Sequence, residues 1–106
     1  MDIQEEQEGE WIVLAVDGRV DGHTAPELET AIKQRVDRGV TRLLLDLSGT
    51  LYLSSAGLRV LLGSLKTLRA VNGDMRLRAP RENVREVLDI SGFSSLFTVL
   101  AATPEP

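Results

Sequence analysis

Thr41-Arg42-Leu43-Leu44-Leu45-Asp46-Leu47-Ser48-Gly49-Thr50-Leu51-Tyr52-Leu53-Ser54-Ser55-Ala56-Gly57-Leu58 runs from a strand, through a turn, into a helix. The apolar run Leu43-Leu44-Leu45 stops at the turn signal Ser48-Gly49, so residues 41–47 read as a buried strand. Tyr52 and Leu53 read as buried strand residues, and Asp46 as loop support or a strand end. Beyond Ser54-Ser55-Ala56-Gly57, residues Leu58, Leu61, Leu62, Leu65 and Leu68 recur at helical spacing on one face. Arg59, Lys66 and Arg69 fall off that face, which makes this the strongest helix signal in the chain. Asn72-Gly73-Asp74 closes it, and Met75-Arg76-Leu77-Arg78-Ala79 alternates as a strand does.

The pattern continues outward on both sides. Upstream, Trp11-Ile12-Val13-Leu14-Ala15-Val16 is nearly all apolar and ends at Asp17-Gly18, which suits a strand covered on both faces. Ile3 and its neighbours can pair beside it as an edge strand, where acids discourage pairing with other chains. A helix begins near Thr24, an N-cap residue type, with Pro26 and Glu27 in its first turn. Ala25, Leu28, Ile32 and Val36 share its apolar face, and Gly39 ends it. Downstream, Pro80 introduces a short helix with Val84, Val87 and Leu88 facing inward, stopped by Ser91-Gly92. Phe97-Thr98-Val99-Leu100-Ala101 is the last strand. Strands alternating with helices predict a single α/β domain, a mostly parallel sheet of four to five strands with helices packed on it. Its core spans residues 3 to about 101, between an acidic N-terminal edge and the Thr103-Pro104-Glu105-Pro106 tail.

Charge and composition narrow the function. The net charge is −4, yet the first ten residues hold five acids and no base, so the remainder carries +1. Basic residues are scattered, with no stripe to neutralise a row of phosphates, which argues against direct nucleic-acid binding. Apolar runs are too short to cross a bilayer, and the start Met1-Asp2-Ile3-Gln4-Glu5-Glu6 lacks the features of an export signal. Cysteine is absent, which excludes disulfides and thiolate metal sites; a cytoplasmic protein without membrane insertion is expected.

Catalytic signatures are incomplete. Gly-x-x-x-x-Gly-Lys-[Ser/Thr] does not occur, and Gly-x-Ser-x-Gly is half present around Ser55, with Leu at position 53. His23, the one histidine, sits in a polar turn and reads as a solvent-facing loop residue rather than a base. Asp17, Asp21 and Asp46 lie at strand ends and turns, where carboxylates bond local N–H groups; their spacing alone does not define a metal site. No catalytic residue, cofactor or metal is assigned, and the chain reads as a non-enzyme.

The segment from Asp46 to Leu58 resembles the signature of the STAS family (sulfate transporter and anti-sigma-factor antagonist domains). That signature is Asp-Leu-Ser, a few residues, an aromatic, an aliphatic, then Asp/Ser-Ser-Ser/Ala-Gly-Leu. Gly18-Arg19-Val20-Asp21-Gly22-His23-Thr24-Ala25 resembles the family's acidic turn before a Thr-Ala helix start, and Val87-Leu88-Asp89-Ile90-Ser91-Gly92-Phe93 its closing helix. In the anti-sigma-factor antagonist branch, the resemblance implies phosphorylation of Ser55, with Ser54 as second choice. It further implies that the unphosphorylated form binds an anti-sigma factor that is also a serine kinase, freeing the sigma factor. A serine/threonine phosphatase of the metal-dependent type restores that form. The implied partner-binding residues are Asp21, His23, Thr24, Ser54, Ser55, Ala56, Gly57, Leu58 and Arg59. The alternative is a STAS scaffold or binding subunit of a lipid-transport or stress-signalling complex, without phosphorylation. A small-ligand carrier draws nothing from the sequence beyond a helix N-terminus suited to any anion.

Overall fold

A computed structural model describes residues 1–102; the tail from Thr103 lies outside the described residues. Chain order is β1 (Asp2–Glu8), β2 (Trp11–Val20), α1 (Ala25–Asp37), β3 (Arg42–Asp46), β4 (Thr50–Leu53), α2 (Ser55–Arg69), β5 (Asp74–Arg78), α3 (Glu82–Ile90), a 3-10 turn (Phe93–Ser95) and β6 (Thr98–Leu100). The α/β class is as expected. The sheet has six strands, the short β4 being the one added, and its order is β1-β2-β3-β5-β6 with β4 against β2. Only β1 runs antiparallel to its neighbour.

The parallel strands β2, β3, β5 and β6 step across the sheet in one direction. Right-handed crossovers therefore place all the connecting helices on a single face. That face contributes Leu14, Val16, Leu43, Leu45, Met75 and Leu77 to one core with Leu28, Ile32, Leu61, Leu65, Leu68, Val84 and Leu88 from the helices. Val60 of α2 is buried with them, while Leu62 and Val87, expected to face inward, are only half-buried.

Among the described residues the opposite face carries no helix, which corrects the expectation that β2 is covered on both sides. Val13 and Leu44 on it are nonetheless only 2% and 5% exposed. Long side chains take the place of a helix layer: Trp11, Arg76 and Arg78 stand on this face, and the Arg76 guanidinium lies 4.4 Å over the Trp11 ring. The stems lie along the strands, and the Arg78 guanidinium, its side chain only 13% exposed, is neutralised by Glu8 and Asp46.

The acids at the N-terminus also do more than discourage association. Glu5 pairs with Arg35 and Arg38 of the α1 region, Glu8 with Arg78 of β5, and Glu10 with Arg42 of β3. These contacts tie the edge strand β1 to the domain.

A second correction concerns β2, which does not stop at Asp17-Gly18 but continues to Val20. Gly18 adopts φ 111°, and the register against β4 slips at this point: Gly18 faces Thr50, whereas Arg19 faces Tyr52. Leu51 is the extra residue of a bulge. Simple alternation would place Thr50 and Tyr52 on one face; the bulge instead buries Thr50 and Leu53 and turns Leu51 and Tyr52 outward. Tyr52, expected to be buried, is therefore 38% exposed.

Candidate functional site

Two chain reversals meet where parallel β2 and β4 end. Val20 lies beside Leu53, and the Ser54 N–H donates to the Val20 carbonyl at 2.8 Å. From this corner one segment turns into α1 and the other into α2.

The first reversal is organised by Asp21. Its Oδ1 accepts the N–H groups of His23 at 3.0 Å and Thr24 at 3.1 Å. Thr24 occupies the N-cap position of α1, but its hydroxyl caps nothing: it donates to the Arg19 carbonyl at 2.7 Å and accepts the Asp21 N–H at 3.0 Å. Asp21 thus serves the N–H groups of its own turn, ahead of the helix, while the Glu27 N–H that a Thr24 side-chain cap would have taken is bonded to the Thr24 carbonyl at 3.0 Å. The Thr24 N–H above all, then that of His23, holds the Asp21 carboxyl below its ordinary value against the opposing pull of desolvation. Arg19 adds to this, 3.9 Å from Asp21 Oδ2.

The second reversal has a different chemistry. Ser54 has extended backbone geometry, φ −90° and ψ 174°, and its Oγ accepts the Gly57 N–H at 3.3 Å. Ser54 is therefore the N-cap of α2. Ser55, one residue on, is the first helical residue; it is exposed, and among the described residues its hydroxyl has no hydrogen-bond partner. The adjacent serines have separate tasks. Residues at the start of a helix have N–H groups without intrahelical acceptors, and the helix dipole there favours negative charge.

A loop upstream holds β4 in place. Asp46 ends β3, and its Oδ1 accepts both the N–H and the hydroxyl of Ser48, at 2.9 and 2.7 Å. Its Oδ2 accepts two bonds from Arg78, at 3.2 and 3.0 Å, while Arg81 donates to the Ser48 carbonyl at 2.9 Å. Burial is the largest influence on the Asp46 carboxyl and pushes it up, but Ser48 and Arg78 together outweigh it and leave the group below its ordinary value.

All nine residues expected at the site fall on these two reversals. His23, Ser55 and Arg59 are exposed; Asp21, Thr24, Ser54 and Ala56 are half-buried. Gly57 is buried and Leu58 packs against the core, so these two support the surface rather than form it. A shallow depression of about 280 Å³ separates the turns, lined by Gly22, Ala25, Pro26 and Glu29 on one side and Ala56, Arg59 and Val60 on the other. Sequence reasoning missed Arg19 and Tyr52, whose guanidinium and ring lie 4.4 Å apart beside Asp21. Only the bulge brings them together. No metal-binding group of three or more His, Asp or Glu occurs among the described residues. No helix there is long and apolar enough to cross a membrane.

An α/β domain of this topology, with a capped serine turn at the mouth of α2, is a STAS domain: the family model matches residues 2–105, and the chain belongs to that family. Its relatives include BtrV of Bordetella bronchiseptica, named as an anti-sigma factor antagonist, 43% identical over 88 residues, which cover 83% of this chain and 76% of BtrV. The solved anti-sigma factor antagonist SpoIIAA in its unphosphorylated form superposes with a TM-score of 0.83 at 26% identity, over 96% of this chain and 89% of that one. The phosphorylated form of Bacillus SpoIIAA gives 0.75 at 25% identity, over 96% and 92%.

Proposed function

We propose that this chain is an anti-sigma factor antagonist controlled by phosphorylation of Ser55, acting in the cytoplasm by binding and not by catalysis. Unphosphorylated, it engages an anti-sigma factor that is also a serine kinase, and the sigma factor is released. The kinase transfers the γ-phosphoryl group of ATP to Ser55 Oγ; ADP leaves, and the hydroxyl proton is lost. Phosphorylated antagonist then dissociates. A metal-dependent serine/threonine phosphatase hydrolyses the ester with water, returning serine and inorganic phosphate.

One observation carries the reading: Ser55 is bare at the first position of α2, whereas Ser54 is engaged as the cap. The relation to SpoIIAA, known in phosphorylated and unphosphorylated forms, supports it. The energetics are adequate. Moving a complex from mostly bound to mostly free takes about 3–5 kcal/mol. An unpaired charge buried at an interface commonly costs about 2–5 kcal/mol. The phosphate adds about −1.5 to −2 charges, so no rearrangement of the fold is required.

Incubation with the cognate kinase and ATP, followed by peptide mapping, should place phosphate on Ser55; phosphate confined to Ser54 would overturn the assignment. Ser55→Asp should lose kinase binding, and Ser55→Ala should keep it. A Ser55→Asp protein that stays bound would instead favour a constitutive STAS scaffold, in a lipid-transport or stress-signalling complex.

A further inference from the structure

We propose that Arg59 is the intramolecular partner of phosphorylated Ser55, its guanidinium folding back over one turn of α2 to pair with the phosphate. The inference rests on the phosphorylation of Ser55 proposed above and concerns how the modified state is held.

Ser55 and Arg59 are four residues apart on α2. On a helix this spacing places Cβ atoms about 5–6 Å apart, with the acidic group N-terminal to the base in the favourable order. Helical side chains lean toward the N-terminus, so that of Arg59 naturally covers the turn that begins with Ser55. A guanidinium can give a phosphate two parallel N–H bonds, which few other groups match.

Arg59 is also free to do this. Among the described residues, eight of the twelve Lys and Arg side chains have a carboxylate within 4.0 Å, and Arg81 is bonded to the Ser48 carbonyl. Arg59 has neither kind of partner among the described residues, and it is exposed. Lys66 and Arg85 are likewise without one, but Lys66 lies two further turns along α2 and Arg85 is on α3. Glu29 lines the same depression as Arg59, and Asp21 is committed to its own turn and to Arg19. A phosphate carrying nearly two charges on Arg59's own helix out-competes a single carboxylate reaching across from α1. Modification then alters the surface twice: it adds an anion and withdraws a guanidinium from the face that meets the kinase.

The test uses the full chain with phosphoserine installed at position 55 during translation, which needs no kinase, and follows the phosphate by 31P NMR against pH. The second phosphate pKa is ordinarily about 6. At low salt it should lie about 0.3 unit lower in the chain with Arg59 than in Arg59→Gln, with Arg59→Lys in between. The difference should vanish in about 1 M salt. The helix N-terminus acts equally on all three and cancels from the comparison. Coincident titrations of the Arg59 and Arg59→Gln proteins at low salt would overturn the pairing. The same phosphoprotein, assayed for kinase binding, separates the two ideas. If binding is blocked while the titrations coincide, the Ser55 switch stands and the Arg59 pairing falls; undiminished binding would sink the switch itself.

Discussion

Gly57 lies so close to Leu53 that a Cβ on it would come within 2.6 Å of Leu53 Cδ1, and within 2.8 Å of Val20 Cγ1. The first turn of α2 thus rests directly on the ends of β4 and β2, which sets the height at which Ser55 emerges. Gly57→Ala has two opposing effects. Helix propensity improves by about 1 kcal/mol, while overpacking two buried side chains costs about 1–3 kcal/mol. The expected net result is destabilisation of about 1 kcal/mol, read as a lower urea midpoint at unchanged m-value. A raised midpoint would show that the core yields freely here.

Ser54 and Ser55 should separate cleanly under mutation. Ser54→Ala removes the cap on the Gly57 N–H and should cost about 1 kcal/mol. Ser54→Asp supplies an oxygen in the same position and an anion at the helix start, so its stability should match or exceed that of serine. Both variants should still accept phosphate at Ser55. Loss of phosphorylation in both, with the fold intact by circular dichroism, would mean that Ser54 is itself the acceptor.

Asp21 distinguishes turn chemistry from charge. Asn keeps an oxygen that can accept from His23 and Thr24 but carries no charge. If Asp21 meets the kinase as an anion, Asp21→Asn should lower affinity while the melting temperature moves by no more than a degree or two. Equal affinity for both forms would confine Asp21 to organising its loop.

Acid should loosen the edge strand and the Asp46 loop together. A bond from Arg78 lowers the Glu8 carboxyl most, and one from Arg35 does so for Glu5. Asp46 ends low despite its burial. Because these folded-state values lie below the ordinary 4.5 for Glu and 3.8 for Asp, their stabilisation is complete above those values and is lost as pH falls through the depressed ones. The urea midpoint should therefore decline as the pH drops below those ordinary values. In Arg78→Met the decline should be shallower, from a lower starting stability, because a half-buried Asp46 has lost its partner. An unchanged acid slope in that variant would show that Arg78 does not set it.

Periodicity and turn residues within each segment were enough to read the α/β class, the order of the three helices and five of the six strands, and the serine turn at the start of α2; β4 emerges only from its pairing with β2. Leu61, Leu65 and Leu68 lie in the core, where their spacing puts them. Local repetition could not reveal that Tyr52 faces outward, because that depends on a slip against β2, a strand more than 30 residues earlier. Nor could it reveal that the helix-free face of the sheet is sealed by Trp11, Arg76 and Arg78.

Amino-acid order alone therefore determined the three helices and five of the six strands, since spacing and turn residues act within a few positions. Tertiary structure decided that Tyr52 turns outward beside Arg19, which side chains seal the helix-free face, and where Arg35, Arg42 and Arg78 rest. Those outcomes depend on partners far along the chain, as the Arg78–Glu8 pair across 70 residues illustrates. Such contacts exist only once the sheet has brought distant strands side by side.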